Sequence, residues 1–193
     1  DAVCGAGITL KGLNQYGEAL GIDIVDEALK YCGRRGLRKV LKASITQIPF
    51  RREVFDLVIS SDVLCHKLVV NDEDAIEEIS RILKSGGLFI VNLPAHNYLR
   101  RWHDKVVHTK HRYEASELCK KLERNNFEII KVTYRNALLW PVVLALKFIT
   151  KKDVGKRSDL TPLNNILILI LYFMILVENL LLKIIDLPFG TSV

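Results

Sequence analysis

The chain has 193 residues, 49% of them hydrophobic, with a formal net charge of +6 and a mean hydropathy of +0.17. That length accommodates one well-buried domain with an appendage and excludes two ordinary domains. The positive charge invites a nucleic-acid partner, but no recognisable RNA- or DNA-binding motif interleaves with the basic residues. The expected partner is an anionic membrane surface or substrate, and not nucleic acid. Cys4, Cys32, Cys65 and Cys119 lie far apart with no CxxC spacing. This argues against a zinc site and a disulfide framework, and it suits a reducing, cytoplasmic setting. No signal peptide opens the chain. It begins inside a motif, at Asp1, which predicts a lost upstream segment.

In chain order, apolar runs alternate with segments of helical period, the pattern of βαβ units around a parallel sheet. Strands are predicted at Ala19–Ile24, Lys39–Ala43, Phe55–Ser60 and Leu88–Leu93, with helices at Thr9–Tyr16, Asp26–Arg34 and Asp72–Leu83. Ser85-Gly86-Gly87 reads as a turn feeding the Leu88 strand. A further helix is predicted at Glu114–Asn125, ended by Asn125-Asn126, and a later strand at Phe127–Tyr134. The fold class expected is therefore α/β with a doubly wound, mostly parallel sheet. After Asn136 the chain turns apolar: Ala137–Thr150 is helical, a basic connector follows, and Thr161-Pro162 starts a second apolar helix. The expected organisation is a core over 1–136, an apolar helical excursion over 137–189 and the start of a last sheet strand over 190–193.

Asp1-Ala2-Val3-Cys4-Gly5-Ala6-Gly7 before a helix is the opening of a nucleotide-type site, because glycines let backbone approach a ligand and the helix offers unpaired N–H groups. The loop gains weight from Asp23, twenty residues after Val3 at the end of the second predicted strand. A carboxylate there accepts both ribose hydroxyls of an adenosyl group. The GxG spacing lacks a later third glycine, which suits a cofactor without phosphates better than a nicotinamide dinucleotide.

With these residues in place, the chain resembles the class I S-adenosylmethionine-dependent methyltransferases, and the resemblance runs along most of its first 135 residues. The first motif of that family, an acidic residue followed by Gly-x-Gly-x-Gly, falls on Asp1, Val3, Gly5 and Gly7, with Val3 in place of the first glycine. The second acidic motif falls on Asp23. Ser44-Ile45-Thr46-Gln47-Ile48-Pro49-Phe50 is similar to the third segment, with Ser44 where an Asp is usual. Phe55 to His66 matches the fourth motif, and Leu83 to Ile90 the fifth. The resemblance implies a Rossmann-like fold and an S-adenosylmethionine site built from Asp1, Gly5, Gly7, Asp23, Ile24, Ser44, Ile45 and Ser61. In it the Ser44 hydroxyl would meet the adenine amino group.

His103-Asp104-Lys105-Val106-Val107-His108-Thr109-Lys110-His111-Arg112-Tyr113 follows the Leu88 strand, in the place where open α/β sheets hold substrate. Metal ligation and a solvated polar loop are alternatives for this run. The loose spacing does not suit a transition-metal site, so no metal is expected. The reading adopted is an acceptor-binding lid, since such a run resembles one branch of the methyltransferases, associated with envelope glycan or lipid biosynthesis. An oxygen acceptor needs a base near neutral pKa. His108 and His103 are the first candidates, with Asp104 orienting one of them, and His66 is the next. Arg112 and Arg101 are candidates for holding an anionic acceptor.

Leu163–Ile185 is just long enough to cross a bilayer. Glu178 and Lys183 interrupt it at ~2.5–3.5 kcal/mol each, and Asn165, Tyr172, Asn179 and Asp186 recur every seven residues as one polar stripe. A helix lying in the headgroup plane is therefore expected, with packing on its own domain and a true span as alternatives. Lys147, Lys151, Lys152, Lys156 and Arg157 would face anionic headgroups. The function expected is O-methylation of a small or envelope- or lipid-linked acceptor by a cytoplasmic enzyme peripheral to the inner face of a membrane. The competing function is a degenerate cofactor-binding scaffold or membrane adaptor without turnover.

Overall fold

The computed structural model describes residues 1–149 and 165–193, and the chain divides into two compact units. The first holds Asp1–Leu64, Leu68–Asn92 and Lys121–Phe127; the second holds Cys65–Lys67, Leu93–Lys120 and Glu128–Val193.

In the first unit, β1 (Gly21–Asp23) pairs in parallel with β2 (Val40–Lys42), and β3 (Phe55–Ser61) pairs in parallel with β4 (Leu83–Asn92). Residues 1–4 join the two ladders. Ala2 bridges Ile22 in parallel, its N–H donates to the Ile59 carbonyl at 2.8 Å, and Cys4 N–H donates to the Ile22 carbonyl at 2.8 Å. The carboxyl ends of all these parallel segments consequently share one edge, which α/β proteins use for ligands. Helices α1 (Ile8–Leu13), α2 (Asp26–Arg34) and α3 (Asp72–Ile82) separate the strands as the periodicity predicts.

Helix α3 shows how sequence makes the element. Asn71 caps it by accepting the Glu73 N–H at 3.1 Å, while Asp72, Glu73 and Asp74 face the positive end of the helix dipole. Ala75, Ile76, Ile79 and Ile82 recur on one face, and all four are buried. Each isoleucine contributes about 1.5–3 kcal/mol by leaving water. Arg81 in the last turn pairs with Glu78 at 2.6 Å and donates to the carbonyls of Ile48 and Phe50, fixing the chain between β2 and β3.

Two expectations are corrected. The Ser85-Gly86-Gly87 turn lies inside β4 and not before it. The register moves from Phe55↔Leu83 to Leu57↔Leu88, so the residues between loop out as a bulge, with Gly86 at φ +76°. Phe127–Tyr134 is not a strand. Phe127 packs its ring on Phe89 at 5.4 Å, but Ile130 is exposed, and the only ladder contact nearby is the Arg135↔Ser192 bridge. Alternating hydrophobicity makes a strand only where a neighbour takes its backbone groups.

In the second unit, Leu93 and Val193 exchange backbone hydrogen bonds at 2.7 and 2.8 Å, and Ala95 N–H donates to Thr191. Residues 191–193 thus run antiparallel to 93–95, with Arg135 on their other side. Helices α4 (Trp102–Val106) and α6 (Trp140–Ile149) belong to this unit, as does α7 (Asn165–Leu181); α5 (Ala115–Arg124) starts in it. The basic connector and the Thr161-Pro162 start lie outside the described residues. Glu178, only 5% exposed, accepts the N–H groups of Asn136 and Leu138, and Arg135 donates to Asn179. Helix α7 is therefore tied to the second unit by polar contacts, while Leu169, Phe173, Leu176 and Leu180 form an exposed apolar stripe. Among the described residues no helix is long and apolar enough to cross a membrane.

Candidate functional site

The glycine loop sits at the carboxyl end of residues 1–4. The Asp23 carboxylate, 2% exposed, accepts the Gly5 N–H on one oxygen and the Val25 N–H on the other, both at 2.9 Å. One buried carboxylate thereby fixes the loop and the turn beyond β1, and each oxygen keeps a lone pair for a further donor. Gly7 closes the loop at φ +79° and precedes α1. The two glycines do different work. A Cβ at Gly7 would lie 2.5 Å from Leu37 Cδ1 and 2.8 Å from Cys32 Sγ, whereas one at Gly5, with φ +51°, would meet nothing within 4 Å. Gly5 therefore borders open space.

Val3 takes φ +75°, a left-handed backbone that costs a β-branched residue roughly 1–2 kcal/mol. The position where the family pattern has glycine still has a glycine's conformation. Beneath the loop the Cys4 and Cys32 sulfurs lie 3.8 Å apart, and Cys32 donates to the Gly5 carbonyl. Burial, then the neighbouring Cys32 thiol, pushes the Cys4 thiol up to about 12, so it stays protonated and packs as an apolar group.

The remaining cofactor candidates occupy the same edge of the sheet. Ile24 is exposed directly after Asp23, and Ile45 is buried. Ser44, two residues beyond β2, shares a 2.9 Å hydrogen bond with the Thr46 hydroxyl and accepts the Thr46 N–H at 3.2 Å. Ser61 ends β3 and accepts from Asn92 at 3.4 Å. Asp1 is apart from them: one of its carboxylate oxygens is buried without a partner, and it lines a cavity of about 510 Å³ at the amino ends of β1 and β3. None of Gly5, Gly7, Asp23, Ser44 or Ser61 lines that cavity. Open space over Gly5 beside a buried carboxylate with free lone pairs fits an adenosyl ligand.

The acceptor-side candidates all fall in the second unit. Residues 65–67 and 108–110 form a short antiparallel ladder, in which Lys67 N–H donates to His108 and Lys110 N–H donates to Cys65. This brings His66 and His108 edge to face at 5.8 Å. Burial, then the neighbouring His108 and Lys67, lowers the His66 pKa below its ordinary value, so the ring is uncharged at neutral pH. His103 lies exposed on α4.

Asp104 belongs to an ion pair with Arg112. It is buried, accepts from Arg112 Nε at 2.7 Å and Nη2 at 3.3 Å, and takes the Arg101 N–H at 2.7 Å. Arg112 also donates to the Ala95 carbonyl. The pair staples the segment after β4 to itself, which uses the guanidinium that the sequence offered to an anionic acceptor. The spacing of the histidine-rich run also leaves out His96. That residue is buried, its Nδ1 lies 2.9 and 3.1 Å from the two Glu114 oxygens, and its ring is stacked between Tyr98 and Tyr134. Only a lone histidine soon after a predicted strand end signals it in the sequence.

Comparison with known proteins places this geometry. The family model described as a methyltransferase domain matches residues 1–91. A tRNA (carboxymethyluridine(34)-5-O)-methyltransferase of Arabidopsis thaliana is 38% identical over 94 residues, 48% of this chain and 23% of that protein. An uncharacterized protein of Methanocaldococcus jannaschii is 30% identical over 121 residues, 59% of this chain and 58% of its own length. The chain thus spans less than two thirds of these relatives. A SAM-dependent methyltransferase structure from Thermotoga maritima is similar at 26% identity and a TM-score of 0.55, covering 65% of this chain and 61% of that one. One from Mesorhizobium loti shares the fold at 18% identity and a TM-score of 0.59, over 74% and 82%. Residues 1–91 thus match a methyltransferase domain, and the chain shares the Rossmann-like α/β fold of S-adenosylmethionine-dependent methyltransferases.

Proposed function

We propose that the chain transfers a methyl group from S-adenosylmethionine to an oxygen of a small or lipid-linked acceptor. The observation that carries this reading is Asp23, held at the carboxyl edge of the sheet by the amide of the very loop that borders open space. Bound S-adenosylmethionine supplies a methyl group on a positively charged sulfur, which keeps the carbon–sulfur electron pair on transfer. Asp23 would hold the ribose hydroxyls, and Gly5 would let the backbone close on the ligand. An imidazole nitrogen of His66 takes the acceptor's hydroxyl proton as the oxygen lone pair forms the new bond. His66 suits that step because its lowered pKa keeps it unprotonated.

Asp23→Ala is expected to weaken S-adenosylhomocysteine binding by about 1.5–3 kcal/mol, the scale of hydrogen bonds to a charged group. Titration calorimetry on both proteins reads this, and unchanged affinity removes Asp23 from the site. Acceptor class is read by giving the enzyme methyl-labelled donor and an extract of the producing cells, then separating lipid, small-molecule and RNA fractions. Label in RNA would favour the chemistry named for the Arabidopsis relative and overturn this acceptor assignment.

The lipid-linked part of the reading is supported by the exposed stripe of Leu169, Phe173, Leu176 and Leu180 and by the basic residues of the connector. A helix of that kind lies in the headgroup plane, on the cytoplasmic face of the membrane. Flotation with anionic liposomes should succeed at low salt and weaken at high salt, because each nearby basic residue contributes about 1 kcal/mol. Absence of flotation at every salt concentration would leave the stripe to a protein partner.

A further inference from the structure

His96 carries the one side-chain nitrogen in the second unit that is buried with no hydrogen-bond partner among the described residues: its Nε2. Everything else about the ring is fixed. Glu114 takes Nδ1, Tyr98 and Tyr134 stack on the two faces with centroids at 4.9 and 4.8 Å, and the Tyr134 hydroxyl donates to Glu114 while accepting the Ala115 N–H. The backbone of His96 itself is strained, at φ +61° and ψ 105°. Strain of this kind costs about 1–3 kcal/mol and gathers at functional positions. A ring held on three sides, with its fourth edge polar and empty-handed, is a built recognition point.

The chemistry of the edge selects the ligand. A carboxylate only accepts, so in the uncharged ring the proton sits on Nδ1 and Nε2 is a bare acceptor. In the charged ring Nε2 is a donor instead. A hydroxyl group serves both states, since it donates and accepts; a phosphate or an ammonium group serves only one. We propose that His96 Nε2, held by Glu114 and the two tyrosines, anchors a hydroxyl group of the methyl acceptor. This rests on the methyltransferase reading above. His96 is then a binding residue that positions the acceptor, while His66 takes the proton. Tyr98, 46% exposed, is the outer wall of the sandwich, and its hydroxyl accepts the Trp140 indole N–H at 3.0 Å.

Two measurements on the whole chain test the assignment. The first is methyl transfer into a dilution series of the producing-cell extract, comparing wild type with His96→Gln. The expected result is a rise of roughly tenfold in the apparent KM for extract, the scale of one lost hydrogen bond, with kcat within threefold and S-adenosylhomocysteine affinity unchanged. A fall in kcat with loss of the acid limb of the pH profile, at constant KM, would make His96 the base and overturn its role as an anchor. The second follows the His96 ring nitrogens by NMR in histidine-labelled protein, with S-adenosylhomocysteine bound and the small-molecule or lipid fraction added. The Nε2 resonance should move and saturate, and Glu114→Gln should blunt the change. An unmoved resonance while the enzyme turns over would mean that Nε2 holds only a buried water. A moving resonance without any methyl transfer would overturn the methyltransferase reading and leave the hydroxyl site standing; neither signal would overturn both.

Discussion

Replacing His66 with alanine is expected to cut methyl-transfer turnover ~10²–10⁴-fold while cofactor affinity stays as it was, because the residue removes a proton only as the new bond forms. Initial rates with labelled donor and the reactive extract fraction, beside calorimetry with S-adenosylhomocysteine, separate the two effects. A loss of less than threefold would show that the acceptor needs no base at this position. The sign of the pH dependence follows from the lowered pKa. A base works when unprotonated, so activity is present above the folded pKa of His66 and falls as pH drops through it. Burial, then His108 and Lys67, places that limb below the ordinary histidine value, leaving the rate level through neutrality. His108→Ala removes one of those two neighbours. It should move the acid limb upward in pH, modestly because burial is the larger cause, and leave the plateau rate nearly intact. A plateau lost as completely as in His66→Ala would transfer the base to His108.

The legible and illegible parts of this protein divide by the reach of their interactions. Helix α2 was readable at both ends because acidic Asp26 and Glu27 open it, Arg34 closes it and Gly36 turns the chain away at φ +77°. The loop from Cys4 to Gly7 and the acid at Asp23 were readable because one βα unit holds both, and the structure joins them through a single hydrogen bond. The strand expected at Phe127–Tyr134 failed because its alternation is local and its would-be neighbours are not. The Asp104–Arg112 pair, eight residues apart across a turn, is one that no spacing rule describes. His96 was invisible for the same reason: Glu114 and Tyr134 reach it from 18 and 38 positions away. Contacts between residues far apart in the chain build most of the proposed acceptor side, while contacts inside one βα unit build the proposed cofactor side.

That division makes the two loop glycines a paired test. Gly7→Ala is expected to destabilise the fold by about 2–5 kcal/mol, the sum of a left-handed backbone forced on alanine, about 1–2 kcal/mol, and overpacking of about 1–3 kcal/mol. The overpacking is unavoidable because Leu37 and Cys32, which the new methyl would strike at 2.5 and 2.8 Å, belong to a core cluster with Cys4 and Leu10. A close-packed interior yields little, so the loop and the start of α1 must move instead. Gly5→Ala carries only the backbone cost of about 1–2 kcal/mol, since its methyl meets open space. That space is where the adenosyl ligand is placed, so this variant should fold and lose affinity for S-adenosylhomocysteine by tenfold or more. Denaturant unfolding and calorimetry on the two variants read stability and binding independently. Equal stability of Gly7→Ala and wild type would refute the packing under the loop. Full affinity in Gly5→Ala would mean that the ligand does not approach the chain at Gly5, and the cofactor site would have to be sought elsewhere along the sheet edge.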